Sequence, residues 1–245
     1  MRCFDLTGNE IGREEFLKLY GTSYFLGEER YVRGVRQSSR LIEGKIERVL
    51  KDGIQKESDV IHILAWKIGK IQHKNSQEQS KFCYAKDWEK AEEQNVKLYA
   101  DDFDLKTIYC SILKRRSEFE DWAAQEPQKV LDELNALQVK RFGTTYMITM
   151  LYFLSRGKSP IYDRFAAKAV EAICRGVSPT QSDVPIVVPE LPAKDSEGFK
   201  RVYKERIEPY KAKLDQIFGN RWKADRCVDR ALWVYGHAFC ENRKG

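Results

Sequence analysis

A chain of 245 residues, 42% hydrophobic and 33% charged, is long enough to bury a core without covalent staples and has the composition of a globular protein in water. Its net charge of +6 is compatible with a polyanionic partner but does not demand one. No apolar run approaches bilayer length, and Asp5, Glu10 and Arg13 interrupt the stretch a secretory leader would need, so a cytoplasmic protein with no membrane partner is expected. Cys3, Cys83, Cys110, Cys174, Cys227 and Cys240 are scattered, with no C-x-x-C pair and no tetrahedral zinc spacing. Reduced core thiols are expected, with no metal and no cofactor.

Apolar residues recur at helical spacing and alternating runs are scarce, which predicts an all-α fold. Helices are predicted over 28–51, 87–99, 104–116, 128–138, 143–156, 163–175, 197–218 and 223–241. Ile61, Leu64, Ile68 and Ile71 form one further helical stripe. Gly143, Gly157 and Gly219 punctuate three helices, while Ser58 or Asp59 and Asp163 suit N-caps. Between 176 and 198, Pro179, Pro185, Pro189 and Pro192 surround Ile186-Val187-Val188, which excludes a regular helix and predicts an extended segment packed along the surface. The chain reads as a single domain, 1–245, whose C-terminal helices follow this segment over 197–241. A monomer is expected, although the sequence does not fix the oligomeric state.

Basic residues gather in three places. Arg33, Arg36 and Arg40 share a helical face, Lys114-Arg115-Arg116 forms a compact run, and Lys140-Arg141 precedes a glycine. Three such patches can follow a nucleic-acid backbone, and the alternative is a set of solvated faces.

The segment Lys140-Arg141-Phe142-Gly143-Thr144-Thr145 carries the most chemistry. A tight turn ending at Gly143 lets backbone approach a phosphate, and the N–H groups that open the next helix point outward as donors. An ordinary helix-to-helix turn is the plain alternative. Twenty residues later, Pro160 breaks the chain and Asp163 opens the following helix with Arg164 beside it. A carboxylate fixed by helix N–H groups is an N-cap, and the same fixed negative charge suits stabilisation of a cationic sugar.

Two more helix faces join this set. On the helix after Gly143, Thr144, Ile148 and Tyr152 recur every fourth residue and are expected to line a pocket if Asp163 does, with a core tyrosine as the alternative for Tyr152. On the last helix, Val228, Leu232, Tyr235 and Phe239 read as a core stripe. Arg226, Arg230, Trp233 and His237 form a second face, with the arginine–aromatic mixture that grips bases and phosphates. Trp233 is a candidate for stacking on a base, the alternative being an arginine packed on a half-buried tryptophan.

The stretch 128–175 resembles the hairpin and aspartate core of the helix-hairpin-helix DNA glycosylase superfamily. That pattern is L-P-G-V-G, a helix, then an aspartate about twenty residues on. Gly143 matches the second glycine and Asp163 the aspartate, whereas Val139-Lys140-Arg141-Phe142 lacks the first Pro-Gly. The resemblance implies two helical lobes with a cleft between them. It also implies double-stranded DNA with a modified base as partner, extrusion of one nucleotide, and hydrolysis of its N-glycosidic bond with Asp163 as the catalytic group. Lys140, Arg141, Phe142, Gly143, Thr144, Thr145, Arg164, Arg226 and Arg230 would contact DNA. Ile148, Tyr152, Trp233 and His237 would form the base pocket. Members that also cut the strand carry a lysine after the second glycine. Thr144 and Thr145 stand here, so a monofunctional enzyme is implied unless Lys140 supplies the amine.

The general look is similar to bacterial oxoguanine-glycosylase-fold proteins and to anti-phage glycosylases acting on glucosylated hydroxymethylcytosine. Repair of oxidised or alkylated purines is the alternative substrate class. A non-catalytic helix-hairpin-helix DNA-binding or abortive-infection protein is the alternative from another class. A nuclease is disfavoured, because Asp101, Asp102 and Asp104 read as a helix start or loop.

Overall fold

The computed structural model describes residues 1–31, 35–68, 71–73, 96–98, 104–181 and 184–241, with side chains at all of these except 23, 25–31, 35–42, 65, 68, 71–73, 96–98, 224, 240 and 241. The described chain is mostly helical. Its helices are α1 (Arg13–Tyr31), α2 (Val35–Asp52), α3 (Glu57–Ile68), α4 (Leu105–Lys114), α5 (Arg116–Gln125), α6 (Pro127–Ala136), α7 (Thr144–Leu154), α8 (Arg164–Arg175), α9 (Glu208–Phe218), α10 (Arg221–Ala224) and α11 (Arg226–Glu241). No helix among the described residues is long and apolar enough to cross a membrane.

The chain folds as two compact units, one of Met1–Gly27, Ser159–Pro192 and Ser196–Gly245, the other of Glu28–Lys158 and Ala193–Asp195. In the first, Phe16, Tyr20 and Tyr235 make a buried aromatic nucleus, with Phe16 meeting Tyr235 edge-on at 5.1 Å between ring centroids. The Tyr20 hydroxyl donates to the Phe4 carbonyl at 3.0 Å, which ties the nucleus to a short antiparallel ladder of β1 (Cys3–Phe4) and β2 (Glu10–Ile11). From 184 to 195 the chain forms no helix or strand. Ile186 turns inward while Val187 is exposed, and Tyr162 donates to the Pro189 carbonyl at 2.8 Å.

The second unit is organised by α7. Met147 to Leu154 are buried on every side, as a helix apolar all round must be. Trp66 meets Phe153 edge-on and donates its indole N–H to Glu43 at 2.8 Å, which gives a nearly fully buried carboxylate a partner.

Several predicted elements change. The helical stripe ends at Ile68, and Ile71 instead belongs to β3 (Ile71–His73), which pairs antiparallel with β4 (Val96–Leu98). Residues 96–98 of the predicted helix 87–99 are therefore strand, and 87–95 lie outside the described residues. Each strand offers two apolar or aromatic positions around one polar residue, a pattern too short to separate from helical spacing. Predicted helix 104–116 is two helices, because Arg115 (φ −120°, ψ 31°) breaks the run. The stretch 197–218 begins as a 3-10 turn over Glu197–Arg201 and a π turn over Tyr203–Ile207 before α9. Predicted helix 28–51 falls on the end of α1 and on α2, while residues 13–27 of α1 were not expected to be helical. The expectation of core thiols holds for Cys3, whose thiol is pushed up to about 11 by burial. Cys110 is exposed, Cys174 and Cys227 are half-buried, and the side chains of Cys83 and Cys240 are outside the description.

Candidate active site

The turn between α6 and α7 is held in a conformation its residues do not favour. Gln138 (φ 52°) and Arg141 (φ 63°) are both left-handed, and neither is glycine. A non-glycine residue in this region costs about 1–2 kcal/mol. The shape is fixed from several sides. The Phe142 amide donates to the Val139 carbonyl, the Gly143 amide donates to the Arg141 carbonyl at 3.0 Å, and the Lys194 ammonium reaches the Val139 carbonyl at 3.4 Å. Val139 and Phe142 point inward, with Phe142 stacked on Tyr146, whereas Lys140 and Arg141 are exposed. Lys194 went unnoticed in the sequence because its partner lies 55 residues away.

Gly143 is the N-cap of α7 with φ −89° and ψ 177°, a backbone any residue adopts. A Cβ placed on it would meet nothing within 4 Å. Among the described residues, nothing packed against it requires glycine there. The space beside it is open.

In the other unit, Asp163 caps α8. Its backbone is extended, and its Oδ1 accepts from the Phe165 amide at 2.9 Å. The Arg164 guanidinium is exposed and lies 4.6 Å from the Phe165 ring centroid. His237 stacks on Phe165 at 3.6 Å and 20°, and Trp233 leans on His237 at 4.0 Å. Tyr24 meets Trp233 edge-on at 5.6 Å, and Trp233 remains 38% exposed. The helix turn that Asp163 caps thus carries Phe165 into a cluster of aromatic rings, one of them partly exposed.

Gly236 makes this approach possible. A Cβ there would lie 1.9 Å from the Phe165 carbonyl oxygen and 2.4 Å from its carbon. Only glycine lets α11 sit against the first turn of α8. Sequence reading passed over it, since a glycine inside a helix shows its use only when the neighbour is known. Behind the helix start, Tyr210 is buried among Asp229, Asp163 and Tyr162. Desolvation, then the two carboxylates, hold its phenol well above the usual range and keep it an uncharged O–H.

Five expectations are corrected by burial. Phe142 is fully enclosed, so it supports the turn and offers DNA no surface. Thr144, Ile148 and Tyr152 are 6%, 0% and 4% exposed, because α7 is the central helix of its unit and every face is covered. Their side chains are packing residues, not the walls of an open pocket. Arg226 is also buried and forms an ion pair with Asp229 three residues on, so its charge is spent inside the protein. Arg230 is half-buried on the same helix, and Thr145 is half-buried at the start of α7.

The basic patches sort in the same way. Arg115 bridges Glu118 and Glu133 and lies 4.8 Å from the centroid of Trp122, and Arg116 donates to Gln55, so this run braces its own unit. Arg33, Arg36 and Arg40 have side chains outside the described residues. Asp104 is the N-cap of α4 and accepts from the Thr107 amide at 3.0 Å, a structural duty for one member of the 101–104 acidic group.

Comparison with known proteins returns no match: no family model, no curated protein and no solved structure matches this chain.

Proposed function

We propose that the protein is a DNA glycosylase that extrudes a modified nucleotide and hydrolyses its N-glycosidic bond, leaving an abasic site. The observation that carries this reading is the left-handed backbone at Arg141. In the pattern L-P-G-V-G that Val139–Gly143 resembles, Arg141 stands where the first glycine belongs. The chain takes a glycine conformation there without a glycine, and exposes an arginine by doing so. Backbone strain of this kind is commonly kept where a site requires the shape.

Each unit then has its own task. The hairpin offers Lys140 and Arg141 to a DNA phosphate beside the open space at Gly143, with the first amides of α7 as further donors. At the start of α8, Asp163 stabilises positive charge developing on the sugar as the C1′–N bond breaks. The bonding pair leaves with the base, water adds to C1′, and its proton is released. Arg164 contributes charge, and Trp233 and His237 offer aromatic surface to the base.

Thr144 and Thr145 cannot form an imine, so the product is an intact strand with an abasic site. The test is incubation with genomic DNA carrying different modified bases, including glucosylated hydroxymethylcytosine and oxidised or alkylated purines, followed by mass spectrometry of released bases. A free base, with no protein–DNA adduct trapped by borohydride, is expected. Binding without any released base would leave a non-catalytic DNA-binding protein. A trapped adduct at Lys140 would replace the monofunctional mechanism with a lyase.

A further inference from the structure

His237 is more constrained than a stacking residue needs to be. Its Nδ1 lies 2.8 Å from the carbonyl oxygen of Trp233, one turn back on α11. A carbonyl oxygen only accepts, so Nδ1 carries the proton, and in the neutral ring Nε2 presents a lone pair. The ring cannot easily turn over to change this. One face lies on Phe165 at 3.6 Å and 20°, and Trp233 lies against it at 4.0 Å. Gly236 holds this part of α11 against the Phe165 backbone, so the stack is fixed at main-chain level.

The ring edge opposite Nδ1 is therefore a fixed acceptor. The imidazole packs on Trp233, an indole 38% exposed that meets Tyr24 edge-on and His237 tilted. A flat ligand stacked on that indole would lie next to the imidazole, whose centroid is 4.0 Å from the indole's. The Asp163 carboxylate, which accepts from the Phe165 amide, belongs to the same helix start. A group with only acceptors on that edge would meet an unpaired lone pair.

We infer that Trp233 and His237 form a recognition site for an extruded nucleobase bearing an exocyclic amine, with the indole stacking on the base and His237 Nε2 accepting its N–H. The identification of the ligand as a nucleobase rests on the glycosylase reading; the need for a donor rests on the stack itself.

The test uses labelled duplexes with one mispaired position carrying either cytosine or N4,N4-dimethylcytosine, which keeps the ring and removes both amine hydrogens. Binding is followed by anisotropy on the full chain. The wild-type protein is expected to prefer the amino base about tenfold, the size of one well-made hydrogen bond. H237F keeps an aromatic ring and loses the acceptor, so it should bind both duplexes alike. H237Q offers an amide oxygen and should recover part of the preference. Equal binding by the wild type overturns the inference, as does a full preference in H237F, which would trace it to the bulk of the methyl groups. Failure of base release is a separate result, because anisotropy needs no turnover. Absence of any binding to either duplex overturns both readings.

Discussion

The hairpin turn and the start of α8 are built on opposite principles. In the hairpin, the backbone forces Gln138 and Arg141 into a conformation they resist, while the glycine at 143 sits in an ordinary conformation with open space beside it. At the start of α8 an aspartate caps the helix in an ordinary extended conformation, and Gly236 of α11 packs against it where a side chain cannot fit. On the proposed function, the strain at Arg141 is kept for contact with DNA. At α8, a carboxylate that is correct for folding carries no such mark, and its further use must be read from the aromatic cluster of its helix turn.

The comparison can be broken first at its glycines. Gly236→Ala should destabilise the protein by about 3 kcal/mol, the upper range for overpacking, because the new methyl collides with main chain that cannot step aside. Gly143→Ser should leave thermal stability nearly unchanged, since serine is also a good N-cap and finds free space, while weakening DNA binding. Chemical denaturation and anisotropy on both variants check the pair. A stable Gly236→Ala, or a Gly143→Ser that binds DNA normally, removes one side of the contrast.

Arg141→Gly sharpens the strain argument. It should raise stability by about 1 kcal/mol, because glycine adopts φ 63° without penalty, yet lower DNA affinity and reduce the salt-dependence slope by about one unit. Opposite signs in the two measurements are the signature of strain kept for binding. Lys140→Ala should show the affinity and slope changes with stability unaltered.

Much of this was legible in the sequence wherever the cause is local. The α7 and α8 boundaries follow from Gly143, Pro160 and Asp163, and Gly176 ends α8 in a left-handed C-cap. What was hidden depends on distant partners. Arg115 looked like a free charge until Glu133 was found beside it, and the i, i+3 spacing of Arg226 and Asp229 does not say that the arginine is enclosed. The periodicity of Thr144, Ile148 and Tyr152 is real, but α7 is covered on all sides, so a face could not be chosen from spacing alone. Gly143 announces the turn, but not the left-handed backbone of Gln138 and Arg141, since neither is glycine.

A smaller effect tests the core behind α8 and α11. The Tyr235 hydroxyl is fully buried with no hydrogen-bond partner among the described residues, so Tyr235→Phe should be neutral or stabilising by up to about 1 kcal/mol. A loss of stability in calorimetry would mean that the hydroxyl is satisfied by a bound water.

The central claim is that Asp163 acts on the sugar and does not merely cap its helix, and base release by Asp163→Asn tests it most directly. Asparagine caps as well as aspartate, so this variant should fold with nearly unchanged stability, whereas Asp163→Ala loses about 1 kcal/mol. The account predicts that Asp163→Asn binds modified DNA as tightly as the wild type or more tightly and releases no base. Release at the wild-type rate from this stable variant would contradict it.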